Sequence, residues 1–499
     1  MTTSNLPLYV MVAPLLTAFF VNLLGRGSRR WVAPLALGCL AFCTIASVLV
    51  LAQVLQYGAF SYTAGNWKPP FGIELLVDHL SALMLVLISA VAFLATVSAL
   101  KSVERELPGR EHLFFTLYLI LLSGLLGLAI TADAFNLYVL LEITSITTYG
   151  LIAMGPGRAP LASFNYIIMG SIGACFYLLG VGYLYIMTGS LNMADIARIQ
   201  ATLPQGAALA TAFAFVLVGL WVKMAFFPLH GWLPNAYSLA PTGAGTMIAP
   251  LMTKVTVYLM IRVILSVFTP DYAFFHHPLV QEGIVWVAAG AILCASALAL
   301  GQRDLKRMLT YIIIAEVGYM VGGVWLANVN GLTGAILHIV NDALMTLCLM
   351  LAVAAISYRL GGTGFDRLQG IYRKMPVTMA AFTVGAFSMI GVPPTAGFFS
   401  KWYLILGGIE AGQWGFVAAL VISSLVNAVL FFRIIEIGFF FAPGDAHGHG
   451  YDSHHDEIKE APQQMLQPLV FTAIALIVVG LSTGPLVDNV IRLALPGSF

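Results

Sequence analysis

Seven ionisable side chains stand inside apolar runs where a bilayer-spanning chain has every reason to avoid them. Glu142 lies near the middle of "FNLYVLLEITSITTYGLIAMG", with no basic residue beside it. Lys223 follows in "GLWVKMAFFPLHGW", Lys254 in "APLMTKVTVYLMIRV", Glu316 in "YIIIAEVGYM", His338 and Asp342 in "GAILHIVNDALMTL", and Lys401 in "GVPPTAGFFSKWYLI". A central membrane charge costs roughly 2.5–3.5 kcal/mol on insertion scales, so the six acids and lysines together cost on the order of 15 kcal/mol. A chain with only a structural task gains nothing by carrying that cost. Burial disfavours the ammonium form of a lysine and a neighbouring carboxylate restores it, so a buried lysine beside a movable acid can load and release a proton near neutral pH. The competing interpretation is that these are snorkelling or salt-bridged packing groups. It fits Arg262 and Arg433, close to predicted helix ends, better than Glu142, Lys223, Lys254 and Lys401. Glu316 and Asp342 admit both interpretations, because a protonated acid can serve a core as a hydrogen-bonding group.

The elements that position these groups are helices in a membrane. Of the 499 residues, 60% are hydrophobic and 9% charged, against about 25% charged in soluble domains. With roughly 20 apolar residues per crossing, spans are expected at 7–25, 32–55, 73–100, 113–131, 134–155, 161–187, 207–227, 246–268, 281–300, 305–326, 331–358, 377–395, 414–441 and 466–490. That is an all-α polytopic protein of about fourteen helices. The seventh and twelfth run past Pro228 and Pro234 and past Pro393 and Pro394, so both are expected to be broken, with freed carbonyls able to stabilise a cation. "KMAFFPLHGWLP" and "AGFFSKWYL" share a Phe-Phe string followed by a leucine, which suggests a repeat five helices apart. Loops after odd-numbered spans carry most of the basic residues, Arg26 to Arg30, Lys101 to Arg110, Arg303 to Arg307 and Arg359 to Lys374 among them, and the opposite loops only Lys68, Arg198 and Arg492. The positive-inside rule then places both termini on the non-cytoplasmic side of the cell (inner) membrane. Arg26, Arg29 and Arg30 follow the first apolar run, so that run is expected to span and not to be a cleaved signal.

A net charge of +1 with no basic stripe excludes nucleic acid as a partner. The five cysteines, Cys39, Cys43, Cys175, Cys294 and Cys348, sit in apolar runs without metal-ligand spacing and are expected to be small core residues. No dinucleotide fingerprint, P-loop, iron–sulfur cysteine set or haem motif is present, so no cofactor, resident metal or catalytic site is expected in this chain. "PGDAHGHGYDSHHDEIKEAPQQ" is expected to be a solvated loop before the last helix, its histidines matching no ordered metal site.

The ordered strings "FNLYVLLEI", "LWVKMAFFPLHGWLPNAYSLAPT", "APLMTKVTVYLMIR", "RDLKRMLTYIIIAEVGYM", "LHIVNDALM" and "GVPPTAGFFSKWYLI" resemble the antiporter-like subunits of Mrp-type cation/proton antiporters, respiratory complex I and group 4 membrane-bound hydrogenases. "GNWKPPFGIELLVDHLSALML" resembles the D-type subunit of Mrp antiporters in particular. The resemblance covers essentially the whole chain. It implies three N-terminal helices (1–112), two inverted five-helix repeats (113–268 and 269–441), and a final loop and helix (442–499). It also implies a translocation path through Glu142, its partner Lys223, the connecting Lys254, His338 and the terminal Lys401, with His230 accessory. Glu316 stands where the family commonly has histidine or glutamine. Asp342 and Thr346 follow His338 where it has histidine or lysine. The axis is therefore more acidic than usual, which leaves open Na⁺ beside H⁺ as the transported ion. The expected function is a proton-translocating subunit of a multisubunit antiporter, working with other membrane subunits. The alternatives are the pumping arm of a redox complex, a non-transporting scaffold, and a membrane subunit of an inorganic-carbon uptake system.

Overall fold

The computed structural model describes residues 5–204, 206–270, 272, 275, 277–440 and 459–495. Three long helices come first, α1 (Leu6–Gly27), α2 (Val32–Tyr57) and α3 (His79–Glu106), followed by α4 (Glu111–Ile130), α5 (Ala134–Ala153) and α6 (Ala159–Thr188). An amphipathic turn, α7 (Met193–Gln200), leads into α8 (Ala207–Lys223), the short α9 (Leu233–Leu239) and α10 (Thr242–Val263). The second half runs through α11 (Pro278–Leu300), α12 (Leu305–Trp325), α13 (Val329–Leu360), the single turn α14 (Ile371–Lys374), α15 (Pro376–Ile390), α16 (Ala396–Glu410), α17 (Trp414–Phe440) and α18 (Gln463–Leu481). Among the described residues twelve helices are long and apolar enough to cross a membrane, and the shorter apolar α8 and α15 each begin a broken pair. Counting α8–α9 and α15–α16 as one crossing apiece, the fourteen expected crossings are all present.

Side chains at the helix starts set the boundaries. Asp78 accepts from the Ser81 amide while Ser81 Oγ accepts from the Asp78 amide, a reciprocal cap that starts α3. Asp133, Asp304 and Asn328 cap α5, α12 and α13 in the same sense. The α3 cap corrects the expected third span: residues 74–77 are not helical but form β2 (Glu74–Val77), paired antiparallel with β1 (Phe60–Thr63) in the register Phe60↔Val77 and Thr63↔Glu74. Hydropathy cannot separate a buried strand from the helix that continues it. Helix α7, short and polar on one side, carries no spanning signal and escapes a search for apolar runs.

Both broken helices occur where expected. Helix α8 ends at Lys223 and α9 resumes at Leu233 with Pro234 in its first turn. Helix α15 ends at Gly391, whose φ of 94° suits a residue without a side chain, and α16 resumes after Pro393 and Pro394. The shared Phe-Phe string marks no common position, however. Phe226 and Phe227 lie inside the first break, whereas Phe398 and Phe399 lie inside α16 beyond the second.

Helices α10, α12 and α13 are almost wholly enclosed, and α1, α2, α6, α11, α17 and α18 surround them with outward apolar side chains such as Phe19, Ile45, Ile186 and Leu425. Of the cysteines, Cys39, Cys43 and Cys348 are core residues as expected, but Cys175 and Cys294 face outward from the peripheral α6 and α11. The histidines of the 442–462 loop lie outside the described residues.

Candidate functional site

The first charged pair joins α5 to the end of α8. Lys223 Nζ donates to Glu142 Oε1 at 2.9 Å and to Ser145 Oγ at 2.7 Å. Glu142 and Ser145 are three residues apart and so share a face of α5. The break after Lys223 leaves the Val222 carbonyl near a free helix end, and Trp232 Nε1 donates to it at 3.1 Å. The Glu142 side chain is 27% exposed and that of Lys223 only 4%, so the charged path begins at the lateral surface and turns inward.

The second pair is fully enclosed. Lys254 Nζ on α10 lies 2.8 Å from Asp342 Oδ2 on α13, with both side chains at 0% exposure. Thr346, one turn further along α13, donates to Asp342 Oδ1 at 2.9 Å and accepts from Lys254 at 3.4 Å. His338 lies one turn before Asp342 on the same helix. Its Nε2 is 2.5 Å from Glu316 Oε2 of α12, and its Nδ1 shares a 2.9 Å hydrogen bond with Ser400 Oγ of α16. The other Glu316 oxygen is 3.9 Å from Lys401 Nζ.

Lys401 closes the series at the second break. It donates to the Met389 carbonyl at 2.6 Å, a group that the end of α15 leaves without its usual partner, and its ammonium lies 5.0 Å from the centre of the Tyr319 ring. The second break therefore offers a freed carbonyl to a cation. At the first break it is the Trp232 indole that meets the carbonyl, and Lys223 turns instead to Glu142 and Ser145.

The axis thus gives every base an acid partner: Glu142 with Lys223, Lys254 with Asp342, and Glu316 with both His338 and Lys401. From Lys254 onward each group is within ion-pair reach of the next or one helical turn from it. The one gap lies between Lys223 and Lys254. A small cavity borders it, lined by Ser145, Lys223, Met252 and Thr256 among others, with room for about one water. The structure brings together every residue named for the axis from sequence except the accessory His230. That histidine is half-buried in the break after α8 and stacked on Phe227 at 5.3 Å, outside the series of charged pairs. Sequence reasoning missed Ser145, Ser400 and Tyr319. The position of Ser145, three residues after Glu142, was a usable signal, but nothing in the chain marks Ser400 or Tyr319.

Arg262 and Arg433 lie outside this series of pairs. Arg262 makes a bidentate pair with Asp78 at 2.6 and 2.8 Å, and Arg433 lies over the Phe365 ring at 5.3 Å.

Comparison with known proteins gives the family of the chain. The profile described as NADH:quinone oxidoreductase/Mrp antiporter, TM matches residues 131–427. A protein named NADH-quinone oxidoreductase subunit N from Desulforudis audaxviator is 42% identical over 99% of both chains. The protein of Alkalihalophilus pseudofirmus named as the D subunit of a Na(+)/H(+) antiporter is 30% identical over 90% of this chain and 88% of its own. A solved chain of the membrane-bound sulfane sulfur reductase, an archaeal respiratory membrane complex, superposes with a TM-score of 0.89 at 29% identity, covering 98% of this chain and 97% of that one. The chain belongs to the NADH:quinone oxidoreductase/Mrp antiporter membrane family and is a multi-pass, antiporter-like subunit of an Mrp or complex I-like assembly.

Proposed function

We propose that this chain translocates protons along the Glu142–Lys401 axis, as one subunit of a larger membrane machine. The observation that carries the reading is the series of buried acid–base pairs between the lateral surface and the second broken helix. In the arrangement described, Glu142 balances the Lys223 ammonium. When Glu142 is drawn away, the desolvated ammonium loses its countercharge and gives its proton to a water in the small cavity beside it, which hands a proton on toward Lys254. The Lys254–Asp342 pair then reorganises, and the change passes through His338 and Glu316 to Lys401. The half-open position of Glu142 explains why the chain needs partners: a carboxylate at mid-membrane cannot face lipid, so a neighbouring subunit must cover it and can move it.

Both Asp342 oxygens already face Lys254 and Thr346, which favours H⁺ over directly bound Na⁺ at that position. The sequence motifs favour an Mrp antiporter as the parent assembly, with this chain as its D-type subunit. The 42% identity to a subunit N supports a second reading, the pumping arm of a redox complex. Isolation of the intact assembly and identification of its subunits separates the two. The division into residues 1–112, 113–268, 269–441 and 442–499, the inner-membrane location and a cytoplasmic basic face belong to the same proposal.

The test is Glu142→Gln. It removes a costly charge, so the variant should insert and assemble normally, yet proton flux in vesicles carrying the intact complex should fall at least tenfold. Wild-type flux from a well-assembled variant would sink the proposal and leave the scaffold reading.

A further inference from the structure

Helix α10 runs between two cavities at its opposite ends, with Lys254 midway. At its N-terminal end is a cavity of about 840 Å³ among the basic loops, lined by Arg105, Arg110, Lys306 and Thr242 among others. At its C-terminal end is one of about 360 Å³, lined by Glu74, Thr131, Ala132, Ala197, Arg262 and Ser266 among others. The second is a built feature. Strand β2 forms part of its wall, tied to the α4–α5 link by the Leu75–Thr131 bridge and by the Ala132 amide on the Glu74 carbonyl at 3.0 Å. Asn192 Nδ2 holds Glu74 Oε2 at 2.7 Å.

The inner limit of this cavity is charged. Lys254, Tyr258 and Arg262 recur every fourth residue, on one face of α10. The Tyr258 hydroxyl donates to the Ala129 carbonyl at 2.5 Å and accepts from Arg262 Nε at 3.3 Å, and the guanidinium is held by both Asp78 oxygens. A guanidinium does not lose its proton under these conditions, so Arg262 is a fixed positive charge between the cavity and Lys254. The lining is mostly apolar, with Glu74, Thr131, Ser266, Thr269 and Arg262 its polar side chains, so Arg262 brings a charge to its inner end, one stripe from the central lysine.

We propose that the cavity beneath β2 is a vestibule through which the Lys254–Asp342 pair exchanges protons with the non-cytoplasmic side, with Arg262 and Asp78 as its electrostatic barrier. This rests on the axis being a proton path. Asp78 offsets part of the Arg262 charge, and the remainder raises the barrier to proton passage in both directions, so that the direction of exchange is set by the protonation of the Lys254–Asp342 pair.

Ala197→Cys in the intact complex tests it, using a membrane-impermeant quaternary-ammonium methanethiosulfonate added from either side of oriented vesicles. The native chain serves as control, its exposed Cys175 and Cys294 facing the apolar surround. The introduced thiol should react at least tenfold faster from the non-cytoplasmic side, and the bulky product should cut proton flux at least tenfold. Failure to react from that side, or full flux after complete modification, overturns the vestibule. A second comparison needs no cysteine: Asp78→Asn should slow flux severalfold, whereas Arg262→Gln with Asp78→Asn should leak protons without coupling. Native behaviour in both would equally refute the barrier. If Glu142→Gln abolishes flux while modified Ala197→Cys conducts normally, the vestibule fails and the axis stands; if Glu142→Gln conducts normally, the axis itself fails.

Discussion

Lys254 and Asp342 meet 2.8 Å apart with neither side chain exposed, one from the first half of the chain and one from the second. The two halves are therefore joined in the core by an ion pair whose partners cannot be separated cheaply. Truncating one member of a buried pair typically costs about 3–5 kcal/mol, because the other is left uncompensated.

Asp342→Asn should consequently lower proton flux at least tenfold and shift the pH optimum. If instead it changes only the apparent Na⁺ affinity, the acidic centre is an ion site and not a relay. The double variant Lys254→Met with Asp342→Asn removes both charges and should recover assembly without recovering flux. Flux and pH profiles in reconstituted complex decide it.

Lys223 and Lys401 should fail differently on conversion to arginine, which keeps the charge but holds its proton far more firmly. Lys223→Arg should block transfer, because Lys223 must release a proton toward Lys254. Lys401→Arg should retain partial activity if its task is to place a positive charge between Glu316 and the Met389 carbonyl. Flux against pH for the two variants is the comparison. Wild-type behaviour of Lys223→Arg would reassign Lys223 to a fixed countercharge for Glu142.

Gly397→Ala should disturb the second break. An added Cβ would overlap the Ser388 carbonyl oxygen, so α16 must move off the end of α15 and carry Lys401 away from Met389. The expected result is at least a tenfold loss of flux with reduced thermal stability. Gly231→Ala in the first break has open space around its Cβ and should change neither.

Asp78 predicts an acid limb of stability. Burial alone would raise its pKa, but the Arg262 charge and hydrogen bonds, with the Ser81 amide and hydroxyl, hold it at about 2. A carboxyl depressed in the folded state stabilises fully above its unfolded pKa of about 3.9 and loses that contribution as pH falls through the folded value. Detergent-solubilised protein should therefore lose on the order of 2 kcal/mol between about pH 4 and pH 2, and Asp78→Asn should flatten that limb. An unchanged acid melting profile would contradict the assignment.

What the sequence alone determined follows from local chemistry. Hydropathy and length set the fourteen crossings, prolines marked both breaks, and each costly charge declared itself by interrupting an apolar run. Glu142 and Lys223 needed only their own surroundings to be recognised as candidates. Which charge meets which is a property of packing. Lys223 is 81 residues from Glu142 and bonds Ser145 as well. Lys254 faces Asp342 because α10 and α13 pack together, and Glu316 divides itself between His338 and Lys401 because α12 passes both. Strand β2 was hidden within an apolar run, since a strand and a buried helix segment of that length have the same composition. The Asp78–Arg262 pair and the cavity ending on it were hidden more deeply. They require the start of α3, the end of α10 and the loop after α4 at one point, and only folding brings those three together.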